Sequence, residues 1–111
     1  MEKQINIYLS DILESIEEID SYFVDKKYDF YEFLQDVKTK RAVERNLEII
    51  GEAVNRILKI KPDIELCGSK HIVALRNRII HSYDNISYEI IWGIMLKHLP
   101  ILKEEIIRLI D

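Results

Sequence analysis

The chain has 111 residues, 48% of them hydrophobic, and its 16 Lys+Arg against 20 Asp+Glu give a net charge of −4. This length predicts a single domain over residues 1–111, and the charge excludes a protein that coats nucleic acid by bulk positive charge. The lone Cys67 excludes an internal disulfide and a multi-thiolate metal site. Because no signal-peptide pattern is evident and no apolar run is as long as a membrane span, we expect a cytoplasmic protein without membrane contact.

Apolar residues recur at helical spacing along most of the chain, which contains only three Gly and two Pro. This pattern predicts an all-α fold. The first helix is predicted from about Ile5 to Phe23, with one narrow apolar seam. A short second helix is predicted after Asp29, because Glu32 follows at the spacing of a capping box.

The central helix is predicted to begin near Thr39 and to end by Pro62. Its apolar residues cover about half of the circumference at 100° per residue, which is wide for a helix packed on one side. The helix therefore lies centrally in the bundle or presents part of its surface to another subunit. Asn46 falls inside the apolar arc, and we expect it to be a buried hydrogen-bonding residue.

The C-terminal third predicts two or three further helices. Ser69 is the expected cap of a helix that runs to about Ser82, and Ser87 is the expected cap of the next. Pro100 lies within the register of that helix and predicts either a kink or the first turn of a separate last helix.

Residues 76–83, with the sequence RNRIIHSY, carry an unusual set of polar side chains. On a helical wheel Asn77 and His81 lie one turn apart on the polar edge, and Arg78 lies on the far side. Arg76 falls inside the apolar arc although it cannot lose its charge. Its guanidinium must therefore reach the edge of the helix or pair with an acid.

These residue types fit the metal-independent cleavage of RNA. The imidazole of His81 is matched to proton transfer near neutral pH, and the guanidinium of Arg76 offers paired donors to phosphate oxygens. Asn77 could orient His81 or donate to the developing oxyanion. Tyr83 could stack on a base or position a phosphate.

Structural explanations for the same residues stay open. Arg76 could form a structural ion pair, His81 could interact with the helix dipole, and Tyr83 could be a core residue with its hydroxyl at the rim. We predict no metal site and no cofactor, because His71, His81 and His98 are dispersed and lack short carboxylate–histidine spacing.

The string RNRIIHSY resembles the R-x4-6-H signature of HEPN-domain proteins, in the R-N-x3-H-x-Y form. More narrowly it resembles the HepT-like toxins, which are paired with a minimal nucleotidyltransferase antitoxin (MntA-like). The segments AVERNLEIIGEAVNRI (residues 42–57) and IIWGIMLKHLPILKEEI (residues 90–106) resemble the central helix and the closing segment of that family. The resemblance covers nearly the whole chain in the same order.

The resemblance implies a small antiparallel bundle of four to five helices that forms a homodimer, with a composite ribonuclease cleft where the motif helices meet. Arg76 and His81 match the catalytic pair, Asn77 matches the polar residue after the arginine, and Tyr83 matches the tyrosine that the antitoxin modifies with AMP. The implied function is an endoribonuclease toxin of a toxin–antitoxin system that acts on tRNA or mRNA. The alternatives are a non-catalytic HEPN partner or substrate subunit of a minimal nucleotidyltransferase, and a plain dimerising bundle.

Overall fold

A computed structural model describes residues 2–24, 29–66, 68–81 and 87–110, with the backbone alone at residues 78–81. All regular structure in these ranges is helical, which confirms the predicted all-α fold. The elements are α1 (Lys3–Ser21), α2 (Phe30–Gln35), α3 (Val37–Ile60), α4 (Ser69–His81), α5 (Tyr88–Gly93), a π-helical turn (Ile94–His98) and α6 (Leu99–Leu109).

Helix α3 lies at the centre of the bundle. It packs mainly against α1 on one side and α4 on the other, and α2 also packs on it. Helix α1 additionally contacts α6, and the π-helical turn packs on α4. The broad apolar surface of α3 is therefore explained by neighbouring helices of the same chain. The largest fully buried side chains are Ile5, Leu9, Ile12, Ile16, Ile19, Leu47, Ile50, Ile57, Ile72, Ile91, Leu102 and Ile106.

Side-chain caps set where the helices begin. The predicted caps Asp29 and Ser87 both accept hydrogen bonds from backbone N–H groups in the first turns of α2 and α5. Helix α3 begins at Val37, two residues before the predicted Thr39, because the carboxylate of Asp36 accepts from the Thr39 N–H at 3.1 Å. A side-chain oxygen at this position accepts from an N–H group that the helix itself leaves unpaired.

The structure shows where α4 and α6 begin. Ser69 is buried and is the first residue of α4 rather than a cap before it. The Leu99 N–H donates to the Ile94 carbonyl five residues back, which closes the π-helical turn. Pro100 then stands in the first turn of a separate helix α6, where its missing N–H leaves no hydrogen bond broken.

Asn46 is the buried hydrogen-bonding residue that the sequence predicted, with 3% of its surface exposed. Its Nδ2 donates to Glu18 Oε1 at 2.7 Å, and its Oδ1 accepts from the Tyr22 hydroxyl at 2.6 Å. Burial, and then the charge of Glu18, raises the pKa of Tyr22, so the phenol stays protonated and remains a donor. These bonds join α1 to α3 with paired polar groups.

None of the helices in the described ranges combines the length and the apolar content that crossing a membrane requires.

Candidate functional site

The guanidinium of Arg76 lies where α4 packs on α3, with 23% of its side chain exposed. Its Nη2 donates to Glu52 Oε2 on α3, and its Nη1 donates to the side-chain oxygen of Asn77 at 3.2 Å. The Nε of Arg76 is buried and has no hydrogen-bond partner. Of the two outcomes expected for an arginine rooted in the apolar arc, the structure shows pairing with an acid.

Gly51 brings α3 and α4 close together beside this arginine. A Cβ at Gly51 would lie 2.6 Å from the Cβ of Arg76 and 3.4 Å from the Ile72 carbonyl oxygen. The backbone angle φ is not positive at this glycine, so space rather than conformation explains the residue. The Gly51–Glu52 pair therefore sets both the distance to α4 and the direction of the Arg76 side chain.

The carboxylate of Glu52 accepts hydrogen bonds from two arginines. Its Oε1 accepts from Arg56 Nε at 2.9 Å, and its Oε2 accepts from Arg76. The hydrogen bond from Arg56 and the charges of Arg76, Arg56 and Lys59 lower the pKa of Glu52, against an opposing effect of partial burial. The carboxylate is therefore ionised at neutral pH and offsets the charge of Arg76.

A cavity of about 500 Å³ opens between α1 and α3, and Arg76 forms part of its wall. Among the described residues its charged lining is balanced, because three arginines face three acids, and each of the arginines pairs with an acid of α3. The surroundings of Arg76 are thus close to neutral rather than basic. The lining residues are Tyr8, Asp11, Arg45, Glu48, Ile49, Glu52, Ala53, Arg56 and Arg76.

Two of the four predicted site residues come together in the described structure. Asn77 is exposed, and its side-chain oxygen accepts from Arg76, so its observed role is to hold the arginine. His81 is the last residue of α4, one helical turn after Asn77, which agrees with the predicted spacing, but its side chain lies outside the described atoms, as does that of Arg78. Tyr83 and Cys67 lie outside the described residues.

Sequence reasoning did not single out Gly51 or Glu52. Glycine inside a helix costs roughly 0.5–1 kcal/mol relative to alanine, so a lone glycine in the middle of the 24-residue helix α3 is a usable signal of close packing. No comparable signal distinguishes Glu52 from the other acids of the chain, because its role depends on the packing of α4. Among the described residues, no group of three or more His, Cys, Asp or Glu side chains could hold a metal ion.

The fold and this site define a class of protein. An all-helical bundle whose motif helix presents an arginine five residues before a terminal histidine has the arrangement of HEPN domains. The family described as ribonuclease HepT-like matches residues 12–109, and the chain belongs to this family.

Relatives of the chain carry ribonuclease names. A putative RNase of Methanocaldococcus jannaschii is 39% identical over 102 residues, covering 88% of this chain and 80% of the relative. A probable ribonuclease HepT of Thermococcus cleftensis is 34% identical over 107 residues, covering 93% of each. A putative RNase of Caldanaerobacter subterraneus is 34% identical over 102 residues, covering 89% of this chain and 88% of the relative. No solved structure matches the chain.

Proposed function

We propose that this protein is a metal-independent endoribonuclease and the toxin of a toxin–antitoxin pair. It cleaves tRNA or mRNA at a cleft shared by two copies of the chain, and a minimal nucleotidyltransferase antitoxin silences it by transferring AMP to Tyr83. The observation that carries the proposal is the fixed placement of Arg76, five residues before His81 on one continuous helix. Membership of the HepT-like family supports the ribonuclease activity.

The proposed reaction needs a proton acceptor and a stabiliser of negative charge. His81 removes the proton from a ribose 2′-hydroxyl, whose oxygen then forms a bond to the adjacent phosphorus. The bond from phosphorus to the 5′-oxygen breaks, and the leaving oxygen takes a proton from a second imidazole or from water. Arg76 stabilises the charge that grows on the non-bridging phosphate oxygens.

A cleft shared by two chains would supply positive charge that the surroundings of Arg76 in a single chain lack. Glu52 offsets the charge of Arg76, and the adjacent cavity has as many acids as arginines. Pairing two motif helices across a two-fold axis would place two arginines and two histidines near one phosphate.

Cleavage of RNA by the pure protein in EDTA tests the catalytic proposal. We expect the His81→Ala variant to cleave at least about a hundredfold more slowly, since general acid–base catalysis contributes about 10²–10⁴-fold. Arg76→Ala should be comparably impaired. The matched control is Arg78→Ala, which removes the same charge from the same helix and should leave cleavage near the wild-type rate. Equal rates in all four proteins would contradict the proposal.

Intact mass after co-expression with the antitoxin tests the proposed modification. We expect the wild-type chain to gain the mass of one or more AMP groups and to lose cleavage activity. Tyr83→Phe should gain no mass and stay active. Tyr88→Phe, which removes a phenol that hydrogen-bonds Glu44 at 2.9 Å, is the control and should still be modified. Modification of the Tyr83→Phe chain would exclude Tyr83 as the acceptor.

The neutralised Arg76–Glu52 pair also supports the alternative that the chain is a non-catalytic partner subunit. An arginine whose charge is already offset serves packing as well as catalysis. On this alternative, expression without the nucleotidyltransferase would not arrest growth, while the enzyme would still add mass to Tyr83. Growth arrest that depends on His81 would exclude it.

A further inference from the structure

A second cavity, of about 360 Å³, lies between α4 and the segment formed by α5 and the π-helical turn. Among the residues that the structure describes, its polar lining consists of His71, Lys97 and His98, with no acid. The cavity beside Arg76, in contrast, balances three arginines with three acids. In a chain of net charge −4, the described lining of this second cavity, which we call the histidine groove, therefore consists of basic and apolar groups.

The two histidines of the groove are held against each other. The imidazole rings of His71 and His98 are stacked, with centroids 4.4 Å apart and an interplanar angle of 22°. His98 ends the π-helical turn, and turns of this kind recur at functional sites. A Cβ at Gly68 would lie 3.1 Å from the His98 carbonyl oxygen, so the loop before α4 lies closely against the turn.

Burial, and then the neighbouring charges, favour the neutral form of His98 in the absence of a bound anion. Burial, followed by the charges of His71 and Lys97, lowers the pKa of His98. Among the described residues, the charged or titratable groups that face it are His71 from α4 and Lys97 from its own turn, while α5 contributes Ile90 and Gly93 to the groove. A bound anion would offset the repulsion among these groups, so anion binding and protonation should favour each other.

The remaining lining residues indicate which chemical groups of a ligand the groove can bind. Apart from the stacked imidazoles and Lys97, the described walls are aliphatic or glycine, and they offer no side-chain carboxylate or amide to read the edge of a base. Lysine and imidazole N–H groups are donors to phosphate oxygens. The groove therefore fits a sugar–phosphate backbone better than a nucleobase.

We propose that the histidine groove binds a phosphate of the RNA strand other than the one that is cleaved. The inference rests on the proposed ribonuclease function. Ala74, which also lines the groove, lies seven residues before His81, so these two positions fall on one face of α4. The ten residues from His71 to His81 span about 15 Å of helix axis, so the two sites contact different phosphates. Binding at the groove therefore adds a second RNA contact along α4.

The test uses a single-stranded 2′-O-methyl oligoribonucleotide, which cannot be cleaved because its 2′-oxygen is blocked. Binding is measured by fluorescence anisotropy in the His81→Ala background. Because the chain has three histidines, only the two groove imidazoles then remain. We expect affinity to rise severalfold from pH 8 to pH 6, and this rise should disappear in the His71→Gln/His98→Gln variant.

A lysine pair provides the matched control. Lys97→Ala should weaken binding and reduce the slope of log affinity against log salt by about one. Lys70→Ala removes the same charge beside His71 but outside the groove lining, and it should leave the slope unchanged. Equal losses in the two variants would show general charge attraction instead and would overturn the proposal.

Imidazole NMR in the His81→Ala protein adds a readout that does not depend on the stability of the groove variants. The oligonucleotide should raise the pKa of His98, and an unchanged pKa would overturn the proposal. Failure of the groove and failure of the ribonuclease are distinguishable. Groove-dependent binding by a protein that leaves ordinary RNA intact would refute only the ribonuclease, and cleavage without any groove effect would refute only the groove.

Discussion

Replacing Gly51 with alanine is expected to reduce RNA cleavage by about a hundredfold while leaving the protein folded. The added Cβ would lie 2.6 Å from the Cβ of Arg76. That atom is fixed to the backbone of α4 and cannot rotate away, so the two helices must separate or slide. A shift of about 1 Å in a group that positions a reacting phosphate is enough for an effect of this size.

The stability of the Gly51→Ala variant should fall only modestly. Overpacking costs about 1–3 kcal/mol, and alanine recovers about 0.5–1 kcal/mol relative to glycine within a helix. Urea denaturation and cleavage assays on the same preparation separate the two effects. A chain that stays folded, with modestly reduced stability and strongly reduced activity, would show that Gly51 acts through the placement of Arg76.

Gly93 provides the matched control. It also lies in a helix, but a Cβ there would meet no atom within 4 Å. Gly93→Ala should therefore raise the stability by about 0.5–1 kcal/mol. Because Gly93 lines the histidine groove, it is a control for stability alone. If Gly51→Ala also raised the stability and left cleavage unchanged, the close contact between α3 and α4 would have no influence on the site.

Replacing Glu52 with glutamine is expected to reduce kcat at least about tenfold with a smaller change in KM. Glutamine keeps the shape of the side chain but removes the charge that holds Arg76 and Arg56 together. An interaction that matters in the transition state changes kcat more than substrate binding. The stability should fall by about 1–2 kcal/mol, between the values for exposed and buried pairs, because Glu52 is 37% exposed.

The stabilising effect of Glu52 should depend on pH in a defined direction. Its pKa is lowered in the folded protein, so its contribution is present above the ordinary value of 4.5 and is lost as the pH falls through the lower folded value. Wild type and Glu52→Gln should therefore differ in stability at pH 7 and converge in strong acid.

Glu48→Gln is the matched control for this charge removal. Glu48 lies one turn before Glu52 on α3 and pairs with Arg45 at 3.1 Å, and its ion pair does not include Arg76. Its replacement should change cleavage and stability only slightly. An increase in RNA affinity and cleavage on Glu52→Gln would have the opposite meaning, namely that Glu52 masks Arg76 rather than positions it.

The features predicted correctly from the sequence depend on neighbours in the chain. Asp29 and Ser87 cap helices because a short side chain reaches N–H groups two or three residues away. Asn46 was recognisable because an amide inside an apolar arc requires partners. Arg76 was predicted to pair with an acid or reach the edge of the helix for the same reason.

The features that were missed depend on how separate helices pack. Nothing local distinguishes Glu52 from its neighbour Glu48, and its role follows from the approach of α4 that Gly51 allows. Pro100 indicated an interruption, but its position alone does not specify a π-helical turn. The stacking of His71 on His98 joins residues 27 positions apart and follows from that turn.

Glu52 links the cavity between α1 and α3 to the motif helix. Arg56 lines this cavity together with Tyr8 of α1 and donates to Glu52, and Glu52 holds Arg76 in turn. Because one carboxylate divides its acceptor capacity between two guanidiniums, a ligand or substitution that engages Tyr8 or Arg56 alters the restraint on Arg76. We therefore expect the activity of the proposed ribonuclease to respond to a ligand bound in this cavity.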